Sequence, residues 1–185
     1  MRIIDLNPHD SERVEQAAEA LVVAFAEHYP DTWDTLEEAR VEVAECLAPE
    51  MIFRMMLDDN GQVLGWIGGR PEYDGHVWEM HPLAVRPDVQ GQGIGRALVA
   101  DLEEQVRQKG GLTIMLGADD VSNQTSLGGI DIYPNVLDKL GKIKNLKRHP
   151  FEFYEKCGYT ITGIMPDANG FGKPDIFMTK RVKQA

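Results

Sequence analysis

The densest chemical signal in the chain is the run Gln90-Gly91-Gln92-Gly93-Ile94-Gly95-Arg96. Its three glycines let backbone amides approach a ligand with no side chain in the way. The apolar spacing that follows opens a helix, so unpaired N–H groups and the positive end of its dipole converge on this turn. Such a place suits a phosphate or pyrophosphate. Two other phosphate motifs are excluded. The dinucleotide pattern G-x-G-x-x-G, counted from Gly91 and Gly93, needs a glycine where Arg96 stands. The P-loop pattern has no Gly-Lys-Ser/Thr at the needed spacing.

A second set of reactive side chains lies on either side of the turn. In the extended run Val77 to Val85, period-2 alternation puts Glu79, His81, Leu83 and Val85 on one face. Glu79 there is a candidate base or ammonium anchor, with an exposed strand acid as the plainer alternative. His81, just before Pro82, reads as readily as a packed side chain. Tyr154, in Phe-Glu-Phe-Tyr, is either a core aromatic or a proton donor with an ordinary pKa of about 10. Tyr73 and Trp78 offer aromatic faces to a sugar ring or a cation. Asp119 and Asp120 follow a strand's C-terminal end, where clefts open in such sheets; each reads equally as a turn cap. Cys157 reads as a small buried residue.

The elements that must position these groups can be read in order. Arg2 to Leu6 is a short strand, and Ser11 an N-cap for a helix to about Glu27. Thr35 to Leu47 is a second helix, stopped by Pro49. Ile52 to Leu57 and Val63 to Gly69 are strands joined by Asn60-Gly61, a strong hairpin signal. With Val77 to Val85 they make an antiparallel meander. Ile94, Leu98, Leu102 and Val106 recur every four residues in the clearest helix, with Glu103 and Arg107 as an exposed i,i+4 pair. Gly110-Gly111 ends it, and Leu112 to Leu116 returns as a strand, completing a βαβ unit. Residues 119 to 148 form a long mixed insertion with a helix near its end. A short helix from Pro150 to Lys156 follows, then closing strands Tyr159 to Met165 and Ile176 to Arg181 around Asn169-Gly170.

Leu83-Ala84-Val85-Arg86-Pro87 followed by Gln90 through Leu98 resembles the strand and pyrophosphate turn of the GNAT superfamily of N-acetyltransferases. The family pattern Q/R-x-x-G-x-G/A is met by Gln90, Gly93 and Gly95. The stretches 75–83, 116–120, 145–159 and 166–176 are similar to aminoglycoside 6'-N-acetyltransferases of the chromosomal enterococcal type. The likeness covers roughly residues 60 to 181. The N-terminal third matches weakly and carries extra residues near Pro30 to Glu38.

The resemblance implies an α/β (α+β) GNAT fold in one domain over 1–185. Its sheet would be mixed but mostly antiparallel, with a splayed central strand pair and flanking helices. It implies acetyl-CoA as co-substrate, held by Leu83, Ala84 and Val85 and by Gln90, Gly91, Gln92, Gly93, Ile94, Gly95 and Arg96, with pantetheine pairing to the backbone of Leu83 and Val85 as another strand would. Tyr154 would stand near the cofactor sulfur. Catalytic roles fall to Glu79, to the Leu83 N–H as oxyanion donor, and to Tyr154. Tyr73, Trp78, Glu79, Asp119 and Asp120 would contact a cationic amine, the 6'-amino group of an aminoglycoside, in an antibiotic-resistance reaction. The other expectations are a polyamine or protein amine as substrate, or a non-catalytic acetyl-CoA-responsive protein. A homodimer is implied by resemblance alone.

Composition agrees with that chemistry. The chain carries a formal charge of -11, and between Glu12 and Asp59 thirteen acids face three bases. This is either a solvated pair of helices or an acidic wall that concentrates a cation. Nucleic acid is excluded as a partner, since phosphate binding needs the opposite sign. No run is long and apolar enough for a membrane span, no export signal is legible, and two cysteines argue against a disulfide framework. A cytoplasmic protein without metal is expected, since no Cys/His cluster has zinc spacing. Lys139, Lys142, Lys144, Lys147 and Arg148 are either a solvated face or a contact for the cofactor's 3'-phosphate.

Overall fold

A computed structural model describes residues 1–27, 29 and 32–183. Among them are seven strands and five α-helices, a mixed α/β protein. The chain divides into two compact units, residues 1–114 with the chain end from 181, and residues 115–180.

In the first unit β1 (Arg2–Asp5), β2 (Ile52–Leu57), β3 (Val63–Glu72) and β4 (Val77–Val85) form an antiparallel meander in that order. The β2–β3 turn is the expected one. Gly61 takes φ +88, which favours glycine, and the Asp58 carboxylate accepts from Asn60 N–H and Gln62 N–H, both at 2.8 Å. Helices α1 (Ser11–Phe25) and α2 (Leu36–Cys46) cover one face, and α3 (Ile94–Gln108) covers the other. Two adjacent residues of β3 separate the faces. A Cβ on Gly68 would press on Cys46 Sγ of α2, whereas one on Gly69 would press on Leu102 of α3.

The α1–α2 face holds a core of Leu21, Val43, Met55, Leu57 and Trp66. The Trp66 ring stacks on Phe53 at 4.5 Å, and its indole N–H donates to Ala17 O at 2.9 Å. On α3 the predicted seam of Ile94, Leu98, Leu102 and Val106 is buried. Three local expectations change. Asp10, not Ser11, caps α1, because its carboxylate accepts from Arg13 N–H. Thr35 caps α2 from outside, with Oγ1 accepting from Glu38 N–H. Glu103 is buried rather than exposed, so Arg107 pairs with Glu104 and donates to Val182 O at 2.9 Å.

The second unit contains β5 (Thr113–Asp119, beginning at the boundary), α4 (Val136–Leu140), α5 (Phe151–Lys156), β6 (Thr160–Met165) and β7 (Asp175–Arg181). Its strands run in the order β5-β7-β6, and β6 pairs antiparallel with β7. The inserted segment carries its helix, α4, in the middle rather than near the end.

Candidate active site

The glycine turn has the geometry its composition implies. Gly91 and Gly93 adopt φ +76 and +86, and a Cβ on either would meet no protein atom within 4 Å. Glycine is therefore required by the left-handed backbone, not by packing, and the space beside it is open. Gly93 is the N-cap of α3, with no side-chain cap and no acid in the first turn, and the first helical bond runs from Ala97 N–H to Gly93 O at 3.0 Å. The amides ahead of it and the helix dipole point at one exposed spot, which suits a pyrophosphate. Gln90 turns back instead, its amide donating to Val85 O at 3.0 Å.

Strand β4 departs from simple alternation. Its register with β3 passes from Leu83 opposite Ile67 to Met80 opposite Gly69, so two residues, His81 and Pro82, stand against Gly68. This bulge reverses which face a side chain takes. Glu79 lies opposite Arg70, on the face that α2 covers. Leu83 lies opposite Ile67, on the face of Arg54, whose guanidinium binds Asp101 of α3 at 2.6 Å. The expected single face for Glu79, His81, Leu83 and Val85 is thus corrected. Glu79 and His81 share one face, and Leu83 and Val85 the other.

The backbone of β4 is nonetheless aimed consistently. Arg86 N–H donates to Leu64 O at 3.0 Å. In an antiparallel ladder alternate residues turn their N–H and C=O the other way, so those of Leu83 and Val85 point away from β3.

Around Glu79 the structure gathers residues that sequence reasoning missed. Arg70 Nε lies 3.1 Å from Glu79 Oε2, and its Nη2 donates to the same oxygen. Glu72 Oε1 stands 3.6 Å from the same guanidinium. The hydrogen bond to Glu79 holds the Arg70 guanidinium above its ordinary value. From α2, Glu42 reaches His81 Nε2 at 3.5 Å, and the Trp33 ring lies 5.6 Å from the imidazole. Cys46 is not a nucleophile here, because burial and the nearby Glu42 push its thiol well up. Pairing β3 with β4 across the Tyr73–Gly75 turn would have placed Arg70 beside Glu79. Glu42 and Trp33 come from elements that only tertiary packing brings to this face.

The other expected substrate contacts divide. Tyr73 is 74% exposed at the β3–β4 turn. Trp78 is a correction, being 4% exposed on the α3 side of β4 with its indole N–H donating to Gly75 O at 3.1 Å. Asp120 is another. It is fully buried and accepts from Gln124 N–H at 2.5 Å, Thr125 N–H at 2.9 Å and Thr125 Oγ1 at 2.7 Å. It caps a loop and has no surface to offer a substrate. Asp119 stays partly accessible and accepts from Asn169 Nδ2.

Tyr154, in α5, is half-buried as a residue, but burial around its hydroxyl, with Cys157 nearby, pushes the phenol well above its ordinary value. The start of α5 is fixed by His149. Phe151 N–H donates to its Nδ1 at 3.2 Å, so the ring proton sits on Nε2 and donates to Asp119 O at 3.2 Å. Burial holds this imidazole below its ordinary value and keeps it neutral. Lys139 is committed to the carbonyls of Asp131, Ile132 and Tyr133 at 2.7 to 3.3 Å, which leaves it no hold on a phosphate. Among the described residues, no group of three or more His, Cys, Asp and Glu is placed to hold a metal ion, and no helix is long and apolar enough to cross a membrane.

Solved structures match the chain over its whole length. An aminoglycoside 6'-N-acetyltransferase complexed with coenzyme A is 38% identical with a TM-score of 0.90, over 100% of this chain and 99% of that one. The aminoglycoside 6'-N-acetyltransferase from Enterococcus faecium is 38% identical with a TM-score of 0.88, over the same shares. A mycothiol acetyltransferase from Stackebrandtia nassauensis is 34% identical over 52% of this chain and 33% of its own length, so the chain spans about a third of that relative. The acetyltransferase (GNAT) pattern matches residues 14–128, which include most of α1, all of α2 and α3, β2 to β5 and the glycine turn. With more than half its length in that match, the chain belongs to the acetyltransferase (GNAT) family.

Proposed function

We propose that this protein transfers an acetyl group from acetyl-CoA to a primary amine, and that the amine is the 6'-amino group of an aminoglycoside. The observation that carries the substrate is 38% identity over the entire chain to 6'-N-acetyltransferases. Acetyl-CoA supplies an activated thioester when bound. The amides from Gly91 to Arg96 hold its pyrophosphate, with Gln92 and Ile94 contributing backbone and Gln90 bracing the turn against Val85. The outward-facing backbone of Leu83 to Val85 lies along pantetheine, and the Leu83 N–H takes the charge that develops on the carbonyl oxygen. Glu79 anchors the amine and accepts a proton from it. Tyr154 donates a hydrogen bond to the departing sulfur.

A phenol raised by burial is a weaker acid than the thiol, whose ordinary value is about 8.5. Tyr154 therefore stabilises the thiolate by hydrogen bonding rather than by surrendering its proton. The polycationic substrate is met by Glu79, Glu72 and Glu42, with Tyr73 as an outer contact. We read residues 1–185 as one catalytic domain with an insertion at 119–148, working as a cytoplasmic homodimer in antibiotic resistance. The test is acetyl-CoA turnover against aminoglycosides with and without a 6'-amino group, polyamines and peptide amines. Turnover confined to 6'-amino compounds is expected; turnover of peptides or polyamines alone would replace the substrate.

A further inference from the structure

The ion pair between Arg70 and Glu79 is not needed to hold β3 and β4 together, since the ladder does that, and the Arg70 side chain is 46% exposed against 22% for Glu79. Its geometry is specific. Both guanidinium hydrogen bonds fall on Oε2 of Glu79, one from Nε at 3.1 Å and one from Nη2. A carboxylate accepts at either oxygen, so fixing one settles where the other is presented. Glu72 Oε1, 3.6 Å from the same Nε, sets a second carboxylate against the guanidinium. Arg70 stands directly opposite Glu79 in the register, so the pair forms by strand pairing alone.

We propose that Arg70 is a positioning residue for amine acetylation: it pins Oε2 of Glu79 so that Oε1 is the oxygen presented to the substrate amine. This rests on the role for Glu79 stated above. Arg70 also sets the local charge. Glu72 and Glu79 pair with one guanidinium that also feels the charge of Glu42, and removing it makes this face more attractive to a cation. Positioning and attraction therefore respond in opposite senses, which separates this role from a structural one. A planar fork with two donors on one oxygen is a property of arginine; lysine restores the charge without the fork.

The experiment is steady-state kinetics with a 6'-amino aminoglycoside on Arg70→Met, Arg70→Gln and Arg70→Lys, each checked for folding by circular dichroism. In Arg70→Met and Arg70→Gln, kcat is expected to fall about tenfold or more as the carboxylate loses its aim. The amine KM is expected to stay level or fall, and the acetyl-CoA KM to stay unchanged. Arg70→Lys is expected to bring the amine KM back to wild type while kcat stays low. An unaltered kcat in folded Arg70→Met and Arg70→Gln overturns the proposal, as does full rescue of kcat by lysine. Wild-type protein that acetylates no amine overturns the functional reading and this inference together, whereas wild-type turnover with an unaltered variant kcat overturns this inference alone.

Discussion

Glu79 and Leu83, four residues apart in β4, present their side chains to opposite faces: Glu79 stands across from Arg70 on the α2 side, and Leu83 across from Ile67 on the α3 side. The cause is the extra residue at His81–Pro82. Division of labour follows. Before the bulge Glu79 turns its side chain to the α2 face; after it, Leu83 and Val85 aim their N–H and C=O away from β3. Four predictions follow from this arrangement and its surroundings.

Gly93 carries φ +86 at the N-cap of α3. Alanine there pays roughly 1–2 kcal/mol for a left-handed backbone, and valine adds branches where the pyrophosphate approaches. Gly93→Val is expected to weaken acetyl-CoA binding tenfold or more, about 1.4 kcal/mol. Isothermal titration of a folded variant measures it, and unchanged affinity would move the pyrophosphate elsewhere.

Tyr154→Phe keeps the ring and removes the hydroxyl. A hydrogen bond to a charged group is worth about 1.5–3 kcal/mol, so kcat is expected to fall roughly 10- to 100-fold with little effect on acetyl-CoA affinity. Because the phenol is raised, it stays protonated through its ordinary value of about 10. The alkaline limb of the wild-type pH–rate profile is therefore not its ionisation, and Tyr154→Phe should leave that limb in place. A limb that vanishes in the variant would reverse this assignment.

His149 makes stability depend on pH. Its folded value is depressed by burial, so between its ordinary value of about 6.5 and the lower folded value the unfolded chain binds the extra proton. Stability is full above pH about 6.5 and declines as pH falls, by at most about 1.4 kcal/mol per pH unit. Denaturant titrations from pH 7.5 to 5 should show this decline, and His149→Gln, which cannot titrate, should flatten it. Equal slopes in both proteins would assign acid sensitivity to other groups.

Asp120 and Trp78 are expected to matter for folding rather than for substrate. Asp120→Asn weakens three hydrogen bonds inside the second unit and should cost about 1–3 kcal/mol. Trp78→Ala should cost about 3–5 kcal/mol through the cavity it leaves. In protein that remains folded, the amine KM should stay near wild type for both. A rise in KM without loss of stability would restore them as substrate contacts.

What the sequence determined by itself is what depends on short-range chemistry. The glycine turn, the α3 seam of Ile94, Leu98, Leu102 and Val106, the Asn60-Gly61 hairpin and the strand pairing around it are set by local backbone preferences and by periodicity, which sequence displays directly. The left-handed glycine turn ahead of α3 was legible for that reason. The faces of the β4 side chains were less so, because one additional residue at His81–Pro82 inverts a face and leaves no trace in a burial pattern that still alternates. Tertiary structure alone decided that Asp120 spends its carboxylate on a loop, that Trp78 packs toward α3, and that Glu42 of α2 and Trp33 meet His81. The contacts of Glu42 and Trp33 with His81 join residues tens of positions apart, whereas Asp120 meets Gln124 and Thr125 only four and five residues on, in a loop whose path the fold sets. Arg70 and Glu79 lie between these cases: each is an ordinary strand charge in the sequence, nine positions apart across the Tyr73–Gly75 turn, and the register of β3 against β4 makes them a pair.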